Sequence, residues 1–118
     1  MSYQSNTKYK NKKTKIDGFM FDSRKEARRY LELKLLLRAG KITDLSLQPE
    51  FKIVESVRDP KTNRKLLARK YIADFKYKEV DKWVVEDVKS AITAKEATYR
   101  LKRQLFLVLY PEFLFREV

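Results

Sequence analysis

The stretch KYIADFKYKEVDKWVVEDVKS, residues 70–90, decides the fold. In its first half Tyr71, Ala73, Phe75 and Tyr77 fall on one side and Ile72, Asp74 and Lys76 on the other, the period of two that marks a strand. A second alternating run covers residues 83–89, so the two runs most simply form an antiparallel hairpin turning around 79–82. With an even loop, positions whose numbers sum to 161 face each other: Asp74 opposes Asp87, and Ile72 opposes Lys89, on one face. Val80-Asp81 is a poor two-residue turn, and a bulge there would shift this register. Glu86 is the rival acid. Alternation groups it with Val84 and Val88 on the face away from Lys89, which favours Asp87.

Working outward toward the N-terminus, residues 66–70 extend the first run, and the polar segment RDPKTNRK, 58–65, reads as a turn. Residues 42–47 and 51–57 read as one bent strand or two short ones, broken at Gln48-Pro49 because proline cannot donate to a ladder. Before them, Ser23 followed by Glu26 is a capping-box pattern, and Ala27, Tyr30, Leu31, Leu33, Leu35 and Leu37 recur at helical spacing until Gly40. The spacing predicts a helix over 24–39. Glu26, Tyr30, Leu33 and Leu37 lie on one line, which puts Glu26 at the end of a buried stripe. Residues 18–21 read as a short strand or an extended lead-in. Residues 1–15 carry Lys8, Lys10, Lys12, Lys13 and Lys15 and no acid, and read as a flexible basic arm suited either to solvation or to phosphate contacts.

Toward the C-terminus the period changes to that of a helix. Thr93 and Glu96 form a second capping-box pattern, and Ala97, Leu101, Leu105 and Val108 mark a buried stripe on a helix ending near Tyr110-Pro111. Arg100, Lys102 and Arg103 are expected on its exposed side, with Tyr99, as phosphate contacts or a solvated face. Phe113, Leu114 and Phe115 read as a last strand, which a helical crossover places parallel to an earlier one. The expected fold is therefore α/β, one domain over 16–118, with a mixed sheet flanked by helices.

Composition limits the chemistry. The 118 residues suit one compact domain, and 28 Lys and Arg against 16 Asp and Glu leave a net charge of +12. A surface kept charged for solubility has no need of so one-sided an excess, so nucleic acid is the leading partner. The absence of histidine and cysteine excludes Ser-His-Asp and Cys-His nucleophiles, histidine–metal nucleases, thiolate zinc sites and disulfides. No apolar run approaches the roughly 20 residues of a membrane span, and no signal-peptide core is present, so a cytoplasmic protein with no membrane partner is expected.

Catalysis must then rest on carboxylates, lysines or tyrosines. Two facing aspartates repel unless a cation sits between them. Hard oxygen donors without His or Cys point to Mg2+, or Mn2+, which suit phosphodiester hydrolysis. Lys89, one pleat from Asp87, can orient the attacking water or neutralise the transition state. The plain alternative is a surface ion pair in a sequence 37% charged.

Glu26, Asp74 and Asp87-Val88-Lys89 together resemble the signature of the PD-(D/E)XK nuclease superfamily, and the order helix, three strands, helix, strand is similar to its restriction-endonuclease-like core. Within it, FDSRKEARRYLELKLL, LSLQPEF, YIADF and VVEDVKS resemble small phage-encoded proteins and, more distantly, Holliday-junction resolvases. Ala73 stands where the superfamily has proline. The resemblance implies metal coordination by Asp74 and Asp87, a catalytic role for Lys89 and support from Glu26, whose capping position is a competing structural role. It also implies a Mg2+-dependent endonuclease on DNA, with branched DNA and a homodimer as further expectations and the host cytoplasm as the location of a phage-encoded protein. Two rival expectations are a non-catalytic nucleic-acid-binding module and an accessory protein of a nucleoprotein complex.

Overall fold

The structure, a computed structural model, describes residues 13–118, so Lys8, Lys10 and Lys12 of the expected arm lie outside the described residues. The chain divides into two compact units between Lys41 and Ile42. In the first, strands β1 (Thr14–Ile16) and β2 (Phe19–Phe21) pair antiparallel around Asp17 and Gly18, both in the left-handed region at φ 53° and 82°. That turn chemistry favours a tight hairpin. The arm expected over 1–15 is thereby corrected at its end, because Lys15 sits in β1. The β-branched Thr14 and Ile16 give the Phe19–Phe21 strand a partner, which a reading based on charge overlooked.

Helix α1 (Arg24–Arg38) follows, and its ends carry the expected signals. The Ser23 hydroxyl accepts from the Glu26 amide at 3.0 Å, and at the other end Gly40, φ 76°, closes the helix with Gly40 N to Leu37 O and Lys41 N to Leu36 O. Glu26, Ala27, Tyr30 and Leu33 are buried, as the stripe required, whereas Leu31 and Leu35 are exposed. Tyr30 packs on Phe21 with ring centroids 4.9 Å apart and donates its hydroxyl to Asp17 at 2.8 Å.

The second unit holds strands β3 (Thr43–Leu47), β4 (Glu50–Val54), β5 (Val57–Arg58), β6 (Lys65–Leu66), β7 (Arg69–Ile72), β8 (Phe75–Glu79) and β9 (Lys82–Asp87). A 3-10 turn (Thr93–Lys95), helix α2 (Ala97–Leu109) and strand β10 (Leu114–Glu117) complete it. The main sheet has the order β10-β9-β8-β3, with β10 parallel to β9 and the other pairs antiparallel. The protein is thus mixed α/β, with a mixed sheet and two α-helices among the described residues. The β8–β9 register runs Phe75↔Glu86 to Glu79↔Lys82, the expected sum, and the turn at Val80-Asp81 does have two residues. Val80 takes φ 57° to make it, an unfavourable angle for a β-branched side chain.

One expected strand is broken. β4 pairs with β7, but β3 pairs with β8, so the chain changes sheets at Gln48-Pro49 and again at Ala73-Asp74. The two breaks sit side by side: Ala73 N bonds Pro49 O at 3.1 Å, and Gln48 N bonds Asp74 O at 2.9 Å. Proline ends one ladder, and the partner strand must bend with it. The bend reverses the alternation, correcting the placement of Tyr71, Ala73, Phe75 and Tyr77 on one side. Tyr71 and Ala73 join Phe51, Ile53, Val85, Tyr99 and Phe106 in a core cluster, while Phe75 and Tyr77 lie across from Glu86 and Val84.

Helix α2 also departs from expectation. Thr93 and Glu96 do not form a capping box: the Thr93 amide donates to the Ser90 hydroxyl at 3.1 Å, Thr93 opens the 3-10 turn, and α2 begins after Glu96 with no side-chain cap. The expected stripe of Ala97, Leu101, Leu105 and Val108 is corrected accordingly. Tyr99 and Phe106 are buried and Leu105 partly so, whereas Leu101 and Val108 are 60% and 69% exposed. Large aromatic area decides which face turns inward, and Phe106 meets Phe51, Tyr71 and Tyr110 with centroids 4.7, 5.3 and 5.4 Å away. Among the described residues, no helix is long and apolar enough to cross a membrane.

Candidate active site

Asp87 ends β9 at the point where the strand leaves its ladder, and Val118 holds that exit. Val118 N bonds Asp87 O at 2.9 Å, and Lys89 N bonds Val118 O at 3.0 Å. Asp74 lies at the bend before β8 and grips both neighbours of Asp87: its amide donates to Glu86 O at 3.0 Å, and its carboxylate Oδ2 accepts from Val88 N at 2.7 Å.

The Asp87 carboxylate is 1% exposed. Its Oδ2 accepts from the Tyr71 hydroxyl, and its Oδ1 lies 3.0 Å from Lys89 Nζ. That ion pair compensates the charge, yet Oδ1 receives no hydrogen bond of good direction. Lys89 Nζ also lies 4.8 Å from the centre of the Tyr99 ring, whose face attracts a cation. Tyr99 in turn donates its hydroxyl to Glu117, which Arg103 Nη1 approaches at 3.5 Å.

These side chains border an open pocket of about 290 Å³ lined by Lys70, Tyr71, Ile72, Asp87, Lys89, Glu96, Thr98, Tyr99 and Lys102. Asp74 is not in the lining. Burial, followed by the Asp87 charge and hydrogen bond, raises the Tyr71 hydroxyl above the ordinary tyrosine range, with smaller contributions from Tyr99 and Asp74. Tyr71 therefore remains a donor. Tyr99 is raised in the same direction by burial, by its bond to Glu117 and by the charge of Asp87.

Glu86 is fully buried on the other face, where it accepts from the Tyr77 hydroxyl. Arg116 Nη1 donates to that same hydroxyl at 3.0 Å, and Arg116 Nη2 pairs with Glu79 at 2.7 Å. The two neighbouring acids are thus separated by the pleat, as alternation required.

Of the residues singled out in the sequence, Asp74, Asp87 and Lys89 come together. Glu26 belongs to the first unit, where it is buried; Lys13 and Lys15 are exposed there as well. Arg100 is exposed on α2, but Lys102 and Arg103 are half-buried, which corrects their placement on its solvent side: Lys102 lines the pocket and Arg103 is drawn to Glu117. Tyr99 is likewise buried and not part of a solvated face. Sequence reasoning missed Tyr71, Lys70 and Glu96. Reading Glu96 as a cap hid it, and Tyr71 could be found only by locating the bend that reverses the alternation.

The donors suit a hard cation. Magnesium is commonly held by one or two carboxylates and keeps several waters, and Asp87 offers a buried oxygen without a directed hydrogen bond. Among the described residues no group of three or more His, Cys, Asp or Glu is arranged to hold a metal ion. A search among curated proteins found no match, and neither did a search among solved structures. Residues 6–117 match the family described as protein of unknown function (DUF1064), and the chain belongs to that family.

Proposed function

We propose that this protein is a Mg2+-dependent endonuclease that hydrolyses DNA phosphodiester bonds, with a restriction-endonuclease-like core of the PD-(D/E)XK type. The observation that carries the reading is the buried Asp87 paired with Lys89 at 3.0 Å on the wall of an open pocket, with Asp74 bonded to the chain on either side of it. The chain order α1, β3, β8, β9, α2, β10 supports it, as does the parallel pairing of β10 with β9.

In this reading Asp87 and Asp74 would hold the cation, while Glu26→Gln tests separately the role that the resemblance implies for Glu26. A bound Mg2+, or Mn2+ in its place, supplies Lewis-acid stabilisation of the attacked phosphate and a more acidic water. Lys89 orients the attacking water and places positive charge where the phosphate gains negative charge. Tyr99 holds the Lys89 ammonium from its ring face. Lys102 and Lys70 line the same pocket and meet neighbouring phosphates, while Arg100, Arg103 and the N-terminal lysines extend the attraction for the backbone. For branched DNA, concerted cutting of two strands calls for two copies of so small a chain related by a twofold axis.

The test is a gel assay on linear, single-stranded and four-way-junction DNA, with Mg2+ or with chelator, comparing the wild type with Asp87→Asn, Lys89→Ala and Glu26→Gln. Metal-dependent cutting that Asp87→Asn and Lys89→Ala abolish supports the proposal. DNA binding without any metal-dependent cutting would overturn it in favour of a binding module.

A further inference from the structure

Tyr71 reaches Asp87 from a different sheet. Its strand, β7, pairs with β4, whereas Asp87 ends β9 in the four-stranded sheet, so their hydrogen bond links the two. The tyrosine ring is 2% exposed and packs on Phe106 with centroids 5.3 Å apart, which leaves the hydroxyl little freedom. The two Asp87 oxygens are therefore divided. Oδ2 is committed to Tyr71, and Oδ1 is turned toward Lys89 without a directed hydrogen bond of its own.

We infer that Tyr71 is a positioning residue: by fixing Asp87 Oδ2 it sets the rotation of the carboxylate and presents Oδ1 to the cation and to Lys89. This role rests on the nuclease reading and deepens it. A ligating carboxylate free to rotate would exchange Oδ1 and Oδ2, and a site loosened by a fraction of an ångström loses much of its effect. Loss of a partner that orients a ligating group typically costs 10- to 100-fold in metal affinity or activity. The same sheet carries an internal comparison, because Tyr77 donates to the buried Glu86 on the opposite face, away from the pocket.

The experiment compares the wild type with Tyr71→Phe and Tyr77→Phe, each of which keeps its ring and loses one hydroxyl. Mn2+ binding without DNA is measured by calorimetry, and duplex cleavage is followed across a Mg2+ titration. Tyr71→Phe should weaken Mn2+ binding and raise the Mg2+ needed for half-maximal cutting by about tenfold or more. Tyr77→Phe should leave both unchanged, even where its melting temperature falls as far. If Tyr71→Phe matches the wild type in both readings, the positioning role is overturned and the nuclease reading stands. A wild type that neither binds Mn2+ nor cuts overturns the nuclease reading, and this role with it. Should Tyr71→Phe fail to fold, carbon-13 labelling of the tyrosine ring in the wild type decides the matter: Mg2+ must shift the Tyr71 resonance and not that of Tyr77, and equal shifts or none overturn the inference.

Discussion

The carboxylate of Asp74 accepts a 2.7 Å hydrogen bond from the amide of Val88, the residue between Asp87 and Lys89. Asp74 therefore has a structural task beside any chemical one. Asp74→Ala leaves a buried amide without its partner, at a cost of about 1–3 kcal/mol, and so confounds lost catalysis with lost structure. Asp74→Asn keeps an acceptor and removes the charge. It should unfold within about 1 kcal/mol of the wild type in a urea titration while losing Mg2+-dependent cleavage. Normal cutting by Asp74→Asn would leave Asp74 as a clamp and nothing more.

The pleat separates Glu86 from Asp87, and substitution should separate them as well. Glu86→Gln retains an acceptor for Tyr77 and should cut at a rate within a few-fold of the wild type, whereas Asp87→Asn should fall below detection. Circular dichroism checks that both variants are folded. The reverse pattern, with cleavage lost in Glu86→Gln and kept in Asp87→Asn, would place the site on the wrong side of the sheet.

Alkaline titration reads the same two faces. Tyr77 is pushed up to about 12 by burial and by the Glu86 hydrogen bond and charge, against the opposing influence of Arg116. The native state holds this proton more tightly than the unfolded chain, whose tyrosines ionise near the ordinary value of 10.0. The stabilising contribution is complete below that value and is lost as pH rises from there to about 12, because the unfolded chain releases its proton first. Stability should therefore decline over this window, and the decline should be shallower in Tyr77→Phe. Near-ultraviolet difference absorbance should show tyrosinate appearing later in the native protein than in urea. Coincident native and denatured titrations would rule this out.

The phase of α2 is open to a simple stability comparison. Phe106 is fully buried, so Phe106→Ala should cost about 3–5 kcal/mol, whereas Leu101→Ala and Val108→Ala, at exposed positions, should each stay within about 0.5 kcal/mol. Denaturant unfolding monitored by circular dichroism measures all three. A large loss in Leu101→Ala with a small one in Phe106→Ala would restore the stripe expected from the sequence.

That misplaced stripe shows where the sequence was legible and where it was not. Both ends of α1 were readable because Ser23 and Gly40 act through local hydrogen bonds within a turn of their own positions. The β8–β9 register was readable too, since alternation and a two-residue loop leave little choice, even with Val80 as an unfavourable turn residue. The pairing of Asp87 with Lys89 on one face followed directly. The bend at Ala73-Asp74 was hidden because nothing at those residues demands it; its cause is Pro49, on the partner strand. Tyr71 was lost with it, and so was the donor that holds Asp87. The start of α2 was misread because Thr93 and Glu96 match a capping pattern that the 3-10 turn takes over, and with the start went the phase that brings Tyr99 and Lys102 to the pocket.

The N-terminal lysines give the last prediction, and β1 sets its limits. A truncation through residue 15 would remove Thr14 and Lys15 from the hairpin with β2 and would disturb structure as well as charge. Deleting residues 1–12 avoids this and removes Lys8, Lys10 and Lys12. Each lysine that neutralises a duplex phosphate releases counterions, so the slope of log K against log salt should become shallower by about 0.9 per lost contact, or about 2.7 if all three engage. Fluorescence anisotropy of a labelled duplex at several salt concentrations, with chelator present to prevent cutting, measures the slope. Cleavage at low salt, where binding saturates, should be unaffected, because the deleted residues supply attraction and not chemistry. An unchanged slope would mean that these lysines make no phosphate contacts, leaving the backbone attraction to Lys70, Lys102 and the other basic residues of the remaining chain.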